Sequence, residues 1–418
     1  MTVKKIVSRV ALLVLLSNLA GCSVIPTWMD PTTWFEDDKE AEVRELKPIN
    51  ERFKPAIVWD DSVGDGVDYY FSRLTPVVAY NKVFAASRQG IVKAFDETSG
   101  KQLWKIDLAD YRDEGMFSSV TQLWADGISA RLSGGITAAY QKVFLGSENG
   151  LVFAIDVDTG KVAWQSKVKG EVLASPAVDE GVVVVNTGAG VMHALDAETG
   201  EQRWIYESEV PTLTLRGVAQ PSISSGGAIV GTASGKVAVV LIENGQVLWE
   251  QTVAAATGAT ELERLVDIDS QTLVFGGIVY VVSYNGTLAA VELRSGRVLW
   301  KREYRSYRRM TIDGNLLYVV DASSQVYALD RRNGIERWSQ PSLRERELTS
   351  ATPVSDYIVV GDRYGFLHWL DKASGEIVAR LNFGGDDEDN SVYVEPVVSG
   401  DIIYAVTREG DIAAIRTP

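Results

Sequence analysis

Acidic residues recur through this chain at one fixed place. Asp96, Asp156, Asp196, Glu292, Asp330 and Asp371 each stand four residues before a glycine. Carboxylates in series can hold a metal ion or move protons if a fold brings them together. A series in step with a repeat instead caps turns, because aspartate accepts hydrogen bonds from amides just downstream. These acids keep the period, which favours the turn. His193 and His368 share one repeat position, where other copies carry Lys93, Phe153, Ala238, Ala289, Tyr327 and Ala413, and read as ordinary strand residues. Nucleophile-elbow, phosphate-loop and paired-histidine zinc motifs are absent from the sequence. No catalytic residue and no metal ligand is assigned.

The one cysteine, Cys22, closes MTVKKIVSRVALLVLLSNLAGC, which has a cationic start, a short apolar run and small residues at Ala20 and Gly21. This pattern is an export signal, and its apolar run is shorter than the roughly 20 residues a spanning helix needs. Leu19-Ala20-Gly21-Cys22 resembles the bacterial lipoprotein cleavage box, which implies residues 1–21 as signal peptide and Cys22 as an acylated anchor on the periplasmic face of an outer membrane. A single cysteine cannot form an internal disulfide, so lipidation accounts for it better than stapling. Residues 22–52 carry Pro26, Pro31 and Pro48 and a charged run, and read as a lipidated flexible tether. The formal net charge is −15, and the first 21 residues hold three cations and no acid, so the remainder is more acidic still. Such a surface repels nucleic acid and anionic headgroups and admits basic partners.

The elements that carry these residues come from a repeat, clearest in VFLGSENGLVFAIDVDTGKVAWQSKV at 143–168. Each copy has a strand, a turn ending in glycine, a second strand, a turn such as DVDTG, and a third strand ending in tryptophan. The first turn ends in Gly90, Gly150, Gly190, Gly235, Gly286, Gly365 and Gly410, with Ser324 the departure. Trp104, Trp164, Trp204, Trp249, Trp300 and Trp338 stand four residues after the second-turn glycine, with Ala379 at the seventh place. Alanines at a fixed earlier position suggest that the indole of one sheet fills space left by alanine on the next. A further innermost strand precedes each copy, as at Thr75-Pro76-Val77-Val78 and Ser175-Pro176-Ala177-Val178. Four-stranded units of about 40 residues indicate a β-propeller. The last copy lacks its outer strand, and Ala56-Ile57-Val58-Trp59 supplies it. Residues 53–418 are therefore expected to form an all-β, eight-bladed β-propeller with its ring closed by the N-terminal strand.

Function is sought where the period breaks, because insertions in a propeller collect in loops on one face. Successive tryptophans from Trp59 are spaced 45, 60, 40, 45, 51 and 38 residues. The excesses lie in 107–133, in EVPTLTLRG at 209–217, and in AAATGATELERLVDIDS at 254–270. All follow an outer strand and lead to the next inner one, so they share a face. Leu213, Leu215 and Arg216 then stand beside Asp267 and Asp269, and leucines beside an arginine suit a protein partner. The competing arrangement pairs Arg216 with Asp267 or Asp269 and plugs the channel mouth with the leucines.

The blade repeat resembles that of the quinoprotein alcohol dehydrogenases, which hold pyrroloquinoline quinone and calcium in the central channel beside an adjacent cysteine pair. With Cys22 the only cysteine, that pair is missing, so neither enzyme activity nor any cofactor is expected beyond the lipid on Cys22. The lipobox, the eight tryptophan-type blades, PTLTLRG and ELERLVDID together resemble the BamB family of outer-membrane assembly lipoproteins across essentially the whole chain. The resemblance implies a non-enzymatic scaffold that binds the POTRA domains of BamA through Leu213, Leu215, Arg216, Asp267 and Asp269, among the other Bam lipoproteins. It also leaves nascent outer-membrane proteins as partners, received by β-augmentation at exposed edges. The alternatives are an adaptor for another envelope complex and a quinoprotein-type dehydrogenase. The 107–133 insertion is assigned no role.

Overall fold

A computed structural model describes residues 38–109, 129–257 and 259–418. The signal peptide, Cys22 and most of the 107–133 insertion lie outside the described residues. Residues 1–46 and 47–418 are two separate compact units. Among its described residues is a helix, Asp38–Arg44, with an acidic start and Arg44 in its last turn, the charge order that a helix dipole favours.

The second unit is a ring of eight four-stranded antiparallel sheets. Blade one spans residues 77–107, blade two 132–167, blade three 177–207, blade four 222–252, blade five 273–303, blade six 311–340 and blade seven 352–382. Blade eight combines residues 397–416 with strand Ala56–Ser62, which pairs antiparallel with Asp411–Arg416. The ring is thus closed by the N-terminal strand, as the orphan Trp59 implied, and closure leaves no blade without a neighbour. The expected boundary at residue 53 shifts. The Arg52 amide donates to Val378 O at 2.9 Å, its guanidinium meets Asp371 at 2.6 Å and Glu376 at 2.8 Å, and Arg380 donates to Lys47 O, so 47–52 already belongs to blade seven rather than to a tether.

The recurring acids act as turn caps. Asp156 Oδ1 accepts from the amides of Asp158 and Thr159 and from Thr159 Oγ1, and Asp196 repeats the pattern. Ser324, the one non-glycine at its turn position, takes the left-handed φ of +67° that glycine takes elsewhere, so the turn survives at a cost in strain.

The tryptophan and alanine series is arranged differently from expectation. Alanine stands opposite tryptophan within one blade, in the cross-strand pairs Ala94 with Trp104, Ala154 with Trp164, and Ala194 with Trp204. The indole reaches the next blade at its turn glycine. A Cβ added to Gly160 would lie 2.7 Å from the Trp104 ring, and one added to Gly200 would lie 2.6 Å from Trp164. Trp59, Trp104, Trp164, Trp204, Trp249 and Trp338 donate from Nε1 to a carbonyl of that neighbouring turn at 2.7–3.1 Å. Blade seven exchanges the pair: Trp369 occupies the alanine position opposite Ala379. Its neighbour, blade eight, takes its outer strand from residues 56–62 and so offers no turn glycine for an indole to cover. Trp369 Nε1 bonds Thr417 Oγ1 at 2.9 Å instead.

The histidines differ from each other. His193 Nδ1 meets Gln202 Oε1 at 3.0 Å in blade three. His368 lies in a fully buried group with Asp362 Oδ2 at 2.9 Å, and Arg346 Nε reaches the same oxygen at 2.7 Å. Burial holds the His368 imidazole below its usual pKa, against the pull of Asp362. Among the described residues no cluster of three or more His, Cys, Asp or Glu could hold a metal ion.

Candidate functional site: the connector face

The two ends of the blades are bonded differently. At one end, the second residue of the turn before each outer strand donates to the turn before the second strand, as Val157 N to Gln141 O and Ala197 N to Gly181 O do. At the other end, the chain leaving the outer strand of every blade but the sixth bonds its own blade's glycine turn, as Leu108 does to Gly90 and Val253 to Gly235, whereas in blade six Pro341 has no amide to donate. The connectors therefore share this second face, as their chain position required.

On entering the next blade, seven of the eight connectors are bonded a second time. Arg88 donates to Gly66 O, Glu148 to Arg131 O, Gly188 to Glu171 O, Tyr284 to Asp267 O, Ala322 to Arg305 O, Arg363 to Arg346 O and Arg408 to Ser391 O, all at 2.8–3.0 Å. These serve blades one to three and five to eight. In blade four the corresponding groups are the Ala233 amide and the Arg216 carbonyl, and no such bond joins them. The connector that stands off here is EVPTLTLRG. A cleft of about 260 Å³ opens beneath it, lined by Thr214, Leu215, Arg216, Thr232, Ala233 and Asp269 among others.

Other contacts hold the released connector. Ser208 N donates to Gly190 O at 2.8 Å where the loop leaves blade three. Leu215 N donates to Asp267 Oδ1 at 3.0 Å. Arg73 Nη1 donates to Val218 O and Asp269 O at 3.0 and 2.9 Å, and Asn186 Nδ2 to Ala219 O at 3.1 Å. Gly217 lies so near Asp269 that an added Cβ would fall 2.5 Å from the carboxylate. Loop ends are fixed while its middle projects, an arrangement that limits the entropy lost when a partner binds.

The five expected residues divide by exposure. Leu213 is 42% exposed, Arg216 is exposed, and Leu215 is half-buried on the cleft. Asp267 and Asp269 are buried, at 1% and 6%. Arg216 pairs with neither aspartate: its Nη2 lies 3.3 Å from Glu148 and 3.7 Å from Glu171. Glu148 is also held by Arg88 at 3.0 Å, so much of the Arg216 guanidinium remains available. Neither Leu213 nor Leu215 lines the axial cavity. Burial raises the Asp267 pKa against the Leu215 amide, and burial raises Asp269 to about 7 against the pull of Arg73.

Three contributors were missed from sequence. Leu262 is 71% exposed, on a helical turn that Thr260 and Glu263 cap reciprocally: Glu263 N donates to Thr260 Oγ1, and the Ala259 and Thr260 amides donate to Glu263 Oε2. The Thr-x-x-Glu spacing was a legible signal for that turn. Val210, also exposed, extends the apolar edge beside Leu213. Arg73 precedes blade one and had no signal, because its carbonyl acceptors are 145 and 196 residues away.

The fold defines the class: an eight-bladed β-propeller whose recurring acids cap turns and whose irregular connector presents leucine and arginine. A family model described as outer membrane protein assembly factor BamB matches residues 88–340. A relative from Alteromonas naphthalenivorans bearing that name is 51% identical over 400 residues, covering 96% of this chain and 94% of the relative. The crystal structure of BamB from Moraxella catarrhalis superposes with a TM-score of 0.74 at 23% identity, over 87% of this chain and all of that one. The quinohemoprotein alcohol dehydrogenase of Comamonas testosteroni shares the fold at a TM-score of 0.66 and 14% identity, over 90% of this chain and 79% of that one. The chain belongs to the BamB family of outer-membrane protein assembly factors.

Proposed function

We propose that this protein is a non-enzymatic scaffold lipoprotein of the outer-membrane β-barrel assembly machinery, anchored through lipid on Cys22 at the periplasmic face of the outer membrane. Its connector face docks on the POTRA domains of BamA, alongside the other Bam lipoproteins, and so assists insertion of barrel proteins. Leu213 and Arg216 meet the partner directly and Leu215 supports them from the cleft. Asp267 and Asp269 act through the loop, by fixing Leu215 and seating Gly217. The observation that carries this reading is the connector entering blade four: released from the bond made at the seven other blades, yet pinned at both ends. Family membership supplies the identity of the partner.

The test is co-purification of BamA from envelopes with the wild-type chain and with Leu213→Ala combined with Arg216→Ala. Loss of BamA with unchanged melting and circular dichroism is expected. Retained BamA would sink the site, and recovery of a different envelope complex by the wild type would replace the partner.

A further inference from the structure

The axial end of the connector face holds a second cavity, of about 270 Å³, to which residues of every blade's inner edge contribute. Three arginines line it, Arg73, Arg308 and Arg309, against one acid, Glu395. Glu395 balances Arg309, with Oε1 at 3.6 Å from Nη1. Arg308 reaches only neutral oxygens, Tyr307 Oη and Glu347 O, both at 3.2 Å. Arg73 spends Nη1 on its two carbonyls, leaving Nε and Nη2 without a protein acceptor among the described residues. Arg73 lies within electrostatic reach of Asp269 and Glu395 without a direct ion pair to either, so the recess sets three guanidinium groups against one lining carboxylate in a protein whose net charge is −15.

Desolvated like charges raise each other's energy, and an anion between them removes that cost. The remaining wall fits such a ligand. Ser72, 92% buried by its 8% exposure, lines the cavity with an Oγ that has no partner. Gln271 likewise lines it with Oε1 unpartnered, and rotation of the amide would present its NH₂ instead. Phe71, Tyr307 and Tyr393 supply flat apolar surface between the polar groups. A volume just under the usual range for small-molecule pockets, about 300–1,000 Å³, limits the occupant to one acidic group with a compact body.

We infer that this axial cavity is a binding site for a small carboxylate with an apolar or aromatic body, held by Arg73 and Arg308. A free molecule and the terminal carboxylate of a polypeptide present the same chemistry to the site, and the titrations below separate the two sources. Arg73 also holds Val218 and Asp269, so the site adjoins the docking loop while using different side chains for its ligand.

Calorimetric titration of the full chain at low ionic strength tests this with benzoate and benzamide. Benzoate is expected to bind, more weakly as salt rises, and benzamide not to bind. Gln271→Glu changes no shape but adds a negative charge to the wall, and Arg308→Gln removes a positive one; each is expected to weaken benzoate at least tenfold with melting unchanged. Leu213→Ala with Arg216→Ala should leave benzoate binding intact, so failure of the docking proposal and failure of this one are separable. A short alanine peptide with a free carboxylate, titrated against its C-terminal amide, identifies a chain end as the source if the acid alone binds as well as benzoate, and a free acid if it does not. Absence of benzoate binding, equal binding of benzamide, or full binding by both folded charge variants would overturn the site.

Discussion

The two faces of the ring are joined by the same strands and obey different rules. On one face seven turns repeat with little change, six of them capped by the recurring acid, and each glycine receives an indole from the blade before it. On the other, connectors of unequal length bond to the turns of the blades they leave and enter, except that the first bond is missing at Pro341 and the second at the connector entering blade four. The first face spends its side chains on closure. The second can vary because closure is already secured, and there exposed Leu213 stands near exposed Arg216. In a propeller, departure from the repeat on the connector face is thus informative about binding, whereas the conspicuous acids of the other face are informative only about turns.

The sharpest test of the closure face is the blade where its rule is inverted. Trp369→Ala should cost about 3–5 kcal/mol, the range for deleting a large buried aromatic, read as a lowered denaturant midpoint. Adding Ala379→Trp would recreate the pair order of the other blades. It should recover less than half of the loss, because blade eight has no turn glycine for that indole to cover. Full recovery would show that pair volume alone governs the sheet, and the explanation from blade eight would fall.

On the connector face the largest stability effect should come from Asp269. Burial holds its carboxyl protonated up to a pKa of about 7, while in the unfolded chain it ionises near 3.8. Between those values the native state binds the extra proton, so stability falls as pH rises from about 4 to about 7 and levels off above. At roughly 1.4 kcal/mol per pH unit the ceiling is about 4 kcal/mol. Asp269→Asn should therefore raise the urea midpoint at pH 8 and leave it unchanged near pH 4. An equal change at both pH values would contradict the assigned ionisation.

Gly217→Ala probes the seat of the docking loop with a smaller change. The new Cβ would meet the Asp269 carboxylate and must displace the loop or the acid, at about 1–3 kcal/mol. BamA co-purification should weaken, although neither Leu213 nor Arg216 is altered. Undiminished binding would mean that loop position is not critical and that exposure of the two side chains suffices.

What the sequence made legible follows from the same division. Glycine, tryptophan and acid spacing placed the blades, and the orphan Trp59 placed the closing strand, because those features arise within one repeat or between its ends. Spacing could not say whether Ala94 faces Trp104 across its own sheet or across the gap between blades; strand register decides that. It placed Leu213, Leu215, Arg216, Asp267 and Asp269 on neighbouring loops, but the alternation of Asp267 and Asp269 concealed that both point inward. The bond missing at Ala233 and the reach of Arg73 depend on segments distant in sequence, and no periodicity records them.

Arg216 gives the smallest expected stability change and the clearest separation of the two faces. Its guanidinium is more than half exposed, and its pairs with Glu148 and Glu171 are long, at 3.3 and 3.7 Å. Exposed ion pairs of this kind contribute about 0–1 kcal/mol, and Glu148 keeps its tighter partner Arg88 when Arg216 is removed. Arg216→Ala alone should therefore shift the denaturant midpoint by about 0.5 kcal/mol or less. At a docking surface, however, an exposed arginine beside leucine is the kind of side chain on which binding energy concentrates, with truncation costing about 2 kcal/mol or more. The affinity for a purified BamA POTRA segment should then fall roughly thirtyfold while the fold is untouched. A parallel loss of stability and affinity would return Arg216 to a structural role at the junction of blades two and four, and the difference between the faces would no longer rest on it.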